Sequence, residues 1–144
     1  MRASYDDAVP LTVVVAPDSF KGSIDAAAAA AAIATGWSTV RSSDRLVLLP
    51  QADGGEGTLT VVQSAVGAGR RHTVRVTGPD GRPVFAGWLQ LPDGSALVEL
   101  AQSSALTQML KPDAMGASTR GLGEVIVQAV AASPRRLSPT SACC

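Results

Sequence analysis

Three short segments carry the side chains that could do chemistry. The first is Asp18-Ser19-Phe20-Lys21-Gly22-Ser23, set between an apolar run and an alanine-rich stretch. That places it between a strand and a helix N-terminus, where free N–H groups and the helix dipole favour anions. Lys21 adds a fixed positive charge and Gly22 permits close backbone approach, so the loop suits a phosphate or a carboxylate. A solvated loop with a helix cap accounts for the same residues. The glycine spacing is not that of a Walker A loop.

The second segment is Asp53-Gly54-Gly55-Glu56-Gly57-Thr58. Two acids at i and i+3 could take a divalent metal or position a substrate hydroxyl. The glycines leave backbone amides open to a ligand. A tight glycine turn with capping acids is the alternative. The third segment is Ser118-Thr119-Arg120-Gly121-Leu122-Gly123-Glu124, where Arg120 could clamp a carboxylate or phosphate bidentately. An ordinary helix start with an exposed arginine is the competing account. If the strands ahead of the first two loops are neighbours, both loops face one crevice. His72, the only histidine, falls on the polar side of an alternating stretch and reads as a surface residue. Trp37 and Trp88 read as core or edge packing, and Ser103-Ser104 as loop residues.

The elements that must position these groups follow from periodicity. Leu11–Ala16 is a β-branched run ended by Pro17, a buried strand of the parallel-sheet type. Ser23 suits a helix N-cap and Asp25 the first turn. The alanine run then carries a helix to about Trp37. Arg45–Leu49 is a second strand, stopped by Pro50, and a helix from Thr58 to about Val66 is closed by Gly67. This β-loop-α-β-loop-α order predicts parallel strands joined by crossovers.

From about Arg71 the pattern becomes an antiparallel meander: His72–Thr77, Val84–Leu91 and Ala96–Leu100, separated by glycine turns. A helix from about Ser118 to Ala132 presents Leu122, Val125, Ile126 and Val130 on one face and ends at Pro134. The expected organisation is therefore α/β: residues 1–70 as a βαβα unit holding the two glycine-bearing loops, 71–132 as the start of a second α/β domain, and 133–144 as an irregular tail. A buried strand is due in that tail, and its letters show no strand pattern.

Composition narrows the function classes. The chain has 144 residues, 46% of them hydrophobic and only 3% aromatic, so its core must rest on aliphatic side chains. Twelve Lys and Arg balance twelve Asp and Glu, which argues against an electrostatic nucleic-acid binder. The longest apolar stretch, Ala26–Ala34, is too short to span a bilayer. Asp6 and Asp7 stand where a secretory signal would be basic. Cys143 and Cys144 are the only cysteines and cannot staple a fold. The expectation is a soluble cytoplasmic protein with no nucleic-acid or membrane partner.

The segments Val13–Ser23, Ala52–Thr58, Thr77–Val84 and Ala117–Glu124, in this order, closely resemble the signature blocks of the type 1 glycerate kinase family. The resemblance spans about Leu11 to Ala132. It implies two α/β domains around a cleft and phosphorylation of glycerate by ATP with Mg2+, giving a phosphoglycerate. By motif position it puts Asp18, Ser19, Lys21, Gly22, Asp53, Gly54, Gly55, Glu56, Thr119 and Arg120 at the cleft. On this basis Lys21 meets phosphate, Asp53 and Glu56 meet metal or glycerate hydroxyls, and Arg120 meets the glycerate carboxylate. Ala105 and Leu122 stand where the family usually carries Gly and Thr. Family members are far longer, and after the helix near Ala132 they continue with a strand and a Gly-Gly-Ser-Ala-Thr-Asn-Asp block. Leu137–Cys144 does not resemble that block, so a frameshifted or truncated reading frame is expected. The competing expectation is an inactive fragment with weak anion binding at most and a tendency to self-associate.

Overall fold

The computed structural model describes residues 9–132 and 136–140. The readings on Asp6 and Asp7, on the helix stop at Pro134 and on Cys143-Cys144 lie outside the described residues. The chain divides into two compact units, Met1–Ala52 and Asp53–Cys144.

In the first unit the β-branched run forms β1 (Thr12–Val15), which pairs in parallel with β2 (Arg45–Leu48). Helix α1 (Ala26–Ser38) connects them and packs on both. Ala26, Ala29 and Ala30 are buried at helical spacing, and their small side chains let the helix approach the strands closely. The N-cap is Asp25 and not Ser23: Asp25 Oδ1 accepts the Ala28 N–H at 2.8 Å. Residues 20–24 are taken up by a turn in which Phe20 pairs with Ile24. There the Ser23 N–H and hydroxyl both donate to the Phe20 carbonyl, so the helix starts two residues later than expected. Past the end of α1, Asp44 accepts hydrogen bonds from Arg41, the Trp37 indole and the Leu11 N–H. Those donors hold its carboxyl well below the usual aspartate range.

The second unit is a four-stranded sheet in the order β3 (Arg70–Thr77), β4 (Pro83–Gln90), β5 (Ser95–Glu99) and β6 (Arg136–Thr140). The first three strands form the expected antiparallel meander. β6 corrects the reading of the tail, because it adds in parallel to β5 from Ser95↔Arg136 to Glu99↔Thr140. A ladder needs only backbone donors and acceptors, which no side-chain pattern announces. Pro139 is admitted because β6 is an edge strand.

Two helices cover opposite faces of this sheet. Along a strand successive side chains alternate between faces. Leu89 and Leu97 face one way and bury Leu59 of α2 (Thr58–Val66) between them. Ala86, Trp88, Ala96 and Val98 face the other way, against Val125 and Ala129 of α4 (Arg120–Ala131). Thus α2 packs on the sheet of the second unit. The helix face of α4 runs through Gly121, Val125 and Ala129, so Val130 is left exposed. Two short elements were not expected: α3 (Ala101–Ser104), which includes the buried Ser103, and a 3-10 turn at Leu106–Gln108. His72 is not a surface residue either. It shares a face with Val74 and Val76 and stacks on Trp88 at 4.0 Å between ring centroids. The alternation was right, but the histidine sits on its inner side.

Candidate active site

In an open α/β sheet, ligands collect at the carboxyl ends of the strands. In the first unit that position, after β1, belongs to the loop from Asp18 to Gly22. Asp18 Oδ1 accepts the Ser19 N–H at 2.6 Å, which tightens the start of the turn. Gly22 takes a left-handed φ of 77°, a conformation that favours glycine. Lys21 is exposed and, among the described residues, makes no side-chain hydrogen bond or ion pair. Its ammonium group is therefore available to an anion.

In the second unit β3 and β5 run in the same direction, both antiparallel to β4. Both helices start at the carboxyl end of one of these strands. Glu99, the last residue of β5, meets the start of α2. Thr77, the last residue of β3, meets the start of α4. By register Glu99 lies level with Thr73, so the two helix starts are offset along the sheet by about 13 Å, four residues at strand rise. The Asp53–Thr58 and Ser118–Arg120 segments thus share one end of the sheet, on opposite faces.

The Asp53 loop corrects the expectation of open amides. Asp53 Oδ1 accepts the Gly55 N–H at 3.0 Å. Gly57 is the N-cap of α2 at a φ of 93°, and it has no side chain with which to cap. The caps come from Glu99, whose Oε1 accepts the Gly57 N–H at 3.1 Å and whose Oε2 accepts the Leu59 N–H at 2.9 Å. Glu99 is 1% exposed, and Gln102 Nε2 also donates to it at 3.2 Å. Sequence reasoning missed this residue. The one signal was an acid ending an otherwise apolar strand, Ala96-Leu97-Val98-Glu99. The consequence is chemical: the amides at the start of α2 are occupied by an internal carboxylate. Glu56 is exposed and, among the described residues, makes no side-chain hydrogen bond or ion pair.

At the third segment Thr119 and Arg120 are exposed, and the Arg120 N–H donates to Ser118 Oγ at 3.1 Å. Arg120 Nε donates to Glu124 Oε1 at 2.9 Å, an i,i+4 ion pair. Among the described residues its two terminal nitrogens make no hydrogen bond, which leaves that edge of the guanidinium for a ligand. Glu124 also accepts from the Thr77 N–H at 2.7 Å and the Thr77 hydroxyl at 3.0 Å. The Thr77 backbone donor, then its hydroxyl, then Arg120 hold the Glu124 carboxyl below the usual glutamate range, against desolvation. The segment leading to Arg120 is strapped to the β3–β4 turn. Asp80 pairs with Arg82 at 2.7 Å and accepts the Leu110 N–H, Arg82 donates to the Gln108 carbonyl, and the Ser118 N–H donates to the Pro79 carbonyl.

Magnesium bound with a nucleotide takes hard oxygen ligands, one or two protein carboxylates and the rest phosphate and water. Asp53 and Glu56 fit that donor set. No group of three or more His, Cys, Asp or Glu among the described residues could hold an ion alone. Nor is any helix among the described residues long and apolar enough to cross a membrane.

The architecture defines an α/β protein with charged, glycine-bearing loops at strand ends. The comparisons narrow the class. The profile of the Glycerate kinase family matches residues 13–138, and the chain belongs to that family. It is 42% identical over 132 residues to a Bacillus subtilis glycerate kinase, covering 88% of this chain and 34% of that protein. It is 39% identical over 123 residues to an Escherichia coli glycerate 2-kinase, covering 83% of this chain and 32% of that protein. A crystal structure assigned to glycerate kinase 2 of Salmonella typhimurium LT2 superposes with a TM-score of 0.67 at 36% identity, covering 90% of this chain and 35% of its own. The chain spans about a third of the length of these relatives.

Proposed function

We propose that this chain carries the phosphate-facing and carboxylate-facing parts of an ATP-dependent glycerate kinase, working on a small hydroxy acid in the cytoplasm. The observation that supports it most is the state of the charged groups. Lys21 and Glu56 stand exposed in glycine-bearing loops at strand ends and make no ion pair among the described residues. In this reading a glycerate hydroxyl attacks the terminal phosphorus of ATP, the bond to ADP breaks, and the hydroxyl proton passes to a carboxylate. Lys21, in the loop shaped by Asp18, Ser19 and Gly22, neutralises the phosphates. Asp53 and Glu56, with Gly54 and Gly55 giving close access, orient the hydroxyl and hold Mg2+. Arg120, beside Thr119, offers the outer edge of its guanidinium to a carboxylate. The magnesium ion, when bound, neutralises charge that develops on the phosphate oxygens.

A second reading is anion binding without turnover. The placement of the Asp53–Thr58 and Ser118–Arg120 segments on opposite faces of the sheet favours it, because phosphoryl transfer is almost entirely positioning and electrostatics. ADP release dependent on both ATP and glycerate separates the two. Turnover that disappears in Lys21→Ala and in Asp53→Asn is the expected result. A folded wild-type chain that binds nucleotide and releases no ADP establishes the second reading, and turnover indifferent to both substitutions removes the assigned roles.

A further inference from the structure

We infer that Glu99 is the positioning residue that sets the Asp53–Gly57 loop in its ligand-competent shape, an inference that rests on the function proposed above. Glycines at 54, 55 and 57 give the loop freedom that it must lose before Asp53 and Glu56 can face a ligand in one geometry. Within the loop only the Asp53 bond to the Gly55 N–H and the Thr58 bonds to the Gly55 carbonyl resist that freedom. Glu99 adds two anchors from outside, at 3.1 Å to Gly57 and 2.9 Å to Leu59, on either side of the first helical residue. It is itself fixed, because it ends the buried strand β5 and receives Gln102 Nε2. A carboxylate bonded at each oxygen to amides two residues apart cannot rotate without breaking both bonds, so it transmits the position of the sheet to the loop.

The sign of its charge matters as well. The α2 N-terminus would otherwise offer amides and a positive dipole end to a phosphate. Glu99 fills that place, so the loop presents Asp53 and Glu56 to a cation or a hydroxyl, and phosphate falls to the Lys21 loop. Glutamine at 99 keeps the shape and one acceptor but turns an –NH2 toward one of the two amide donors, so one anchor is lost.

Two measurements test this on the full chain. Amide hydrogen exchange in the wild type is expected to show Gly57 and Leu59 protected to the level of Val98 in β5. In Glu99→Gln their exchange rises about ten-fold or more while Val98 is unchanged, and Glu99→Asp falls between. Wild-type amides at 57 and 59 that exchange as freely as exposed loops overturn the inference, even if every variant fails to fold. The second measurement is binding of the magnesium complex of a non-hydrolysable ATP analogue. Glu99→Gln is expected to weaken it about ten-fold, and to have little further effect in an Asp53→Asn background, because it acts through that loop. Equal losses in both backgrounds overturn the inference. A wild type that binds no nucleotide refutes the kinase reading instead, and the exchange data then decide the role of Glu99 alone.

Discussion

Alanine substituted at Gly121 and at Gly123, two residues apart on α4, should have opposite effects on stability. Alanine has the better helix propensity by about 1 kcal/mol, so on propensity alone both changes stabilise. Packing separates them. A Cβ at Gly123 has nothing within 4 Å, whereas one at Gly121 would lie 2.1 Å from the Thr77 carbonyl oxygen and 3.3 Å from Ser103 Cβ. The obstruction is backbone at the end of β3, and no rotamer change relieves it. To reach ordinary contact the helix start must retreat by about 1 Å, an overpacking strain of about 1–3 kcal/mol. That retreat also stretches the Glu124 bonds to Thr77, which now stand at 2.7 and 3.0 Å.

The net expectation is about 1–2 kcal/mol of destabilisation for Gly121→Ala and up to about 1 kcal/mol of stabilisation for Gly123→Ala. In a unit of this size a difference of about 1–3 kcal/mol separates the two thermal midpoints by roughly 5–20 °C. Urea and thermal unfolding monitored through the buried Trp88 read it directly. Midpoints that move in the same direction, or a Gly121→Ala protein as stable as the wild type, refute the placement of α4 against β3.

The other predictions use the same geometry. Leu59→Ala removes the side chain buried by Leu89 and Leu97, so it should destabilise the second unit by about 2–5 kcal/mol in urea unfolding. The folded-state shift of Asp44 is downward, so its contribution is present above the ordinary aspartate value of 3.8 and is lost as pH falls through its lower folded-state value. Asp44→Asn should therefore flatten the acid limb of the first unit's stability curve, followed by Trp37 emission, because its indole donates to Asp44 at 2.9 Å. The Asp25→Ala change should cost α1 about 1 kcal/mol, seen as lower helicity by circular dichroism, while Ser23→Ala should leave α1 nearly unchanged.

Much of the fold was legible because it is written locally. Helix α2 runs from Thr58 to Val66, as expected from a glycine-rich entry and Gly67 at the exit. The valine run and the alanine run give a parallel pair with its connecting helix for the same reason. Errors arose where two local rules compete or where no side chain speaks. Ser23 and Asp25 are both good caps, and the Phe20–Ile24 pairing decided for Asp25. His72 is polar in an alternating strand, and only the register that sets it opposite Trp88 shows which side it faces. The strand β6 uses backbone groups that a sequence of arginine, serine and proline does not advertise.

The chemical groups were legible and their surroundings were not. The three segments stand out by residue type, because each sets glycine beside charged side chains at the entry to a helix. Their electrostatics depend on partners far along the chain. Glu99 lies 40 residues from Leu59, and Thr77 lies 47 from Glu124. No periodicity links positions so distant, yet these contacts decide what each segment can bind. Glycine alone at the α2 N-terminus would describe a phosphate cradle, and with Glu99 in place the same amides are already bonded to a carboxylate. Arg120 read alone is a guanidinium with five donors, and with Glu124 beside it one is committed and the outer edge remains. An acid that ends a buried strand, with a glycine-capped helix elsewhere in the chain, is therefore worth testing as a cap supplied across the fold before the helix start is assigned to a ligand.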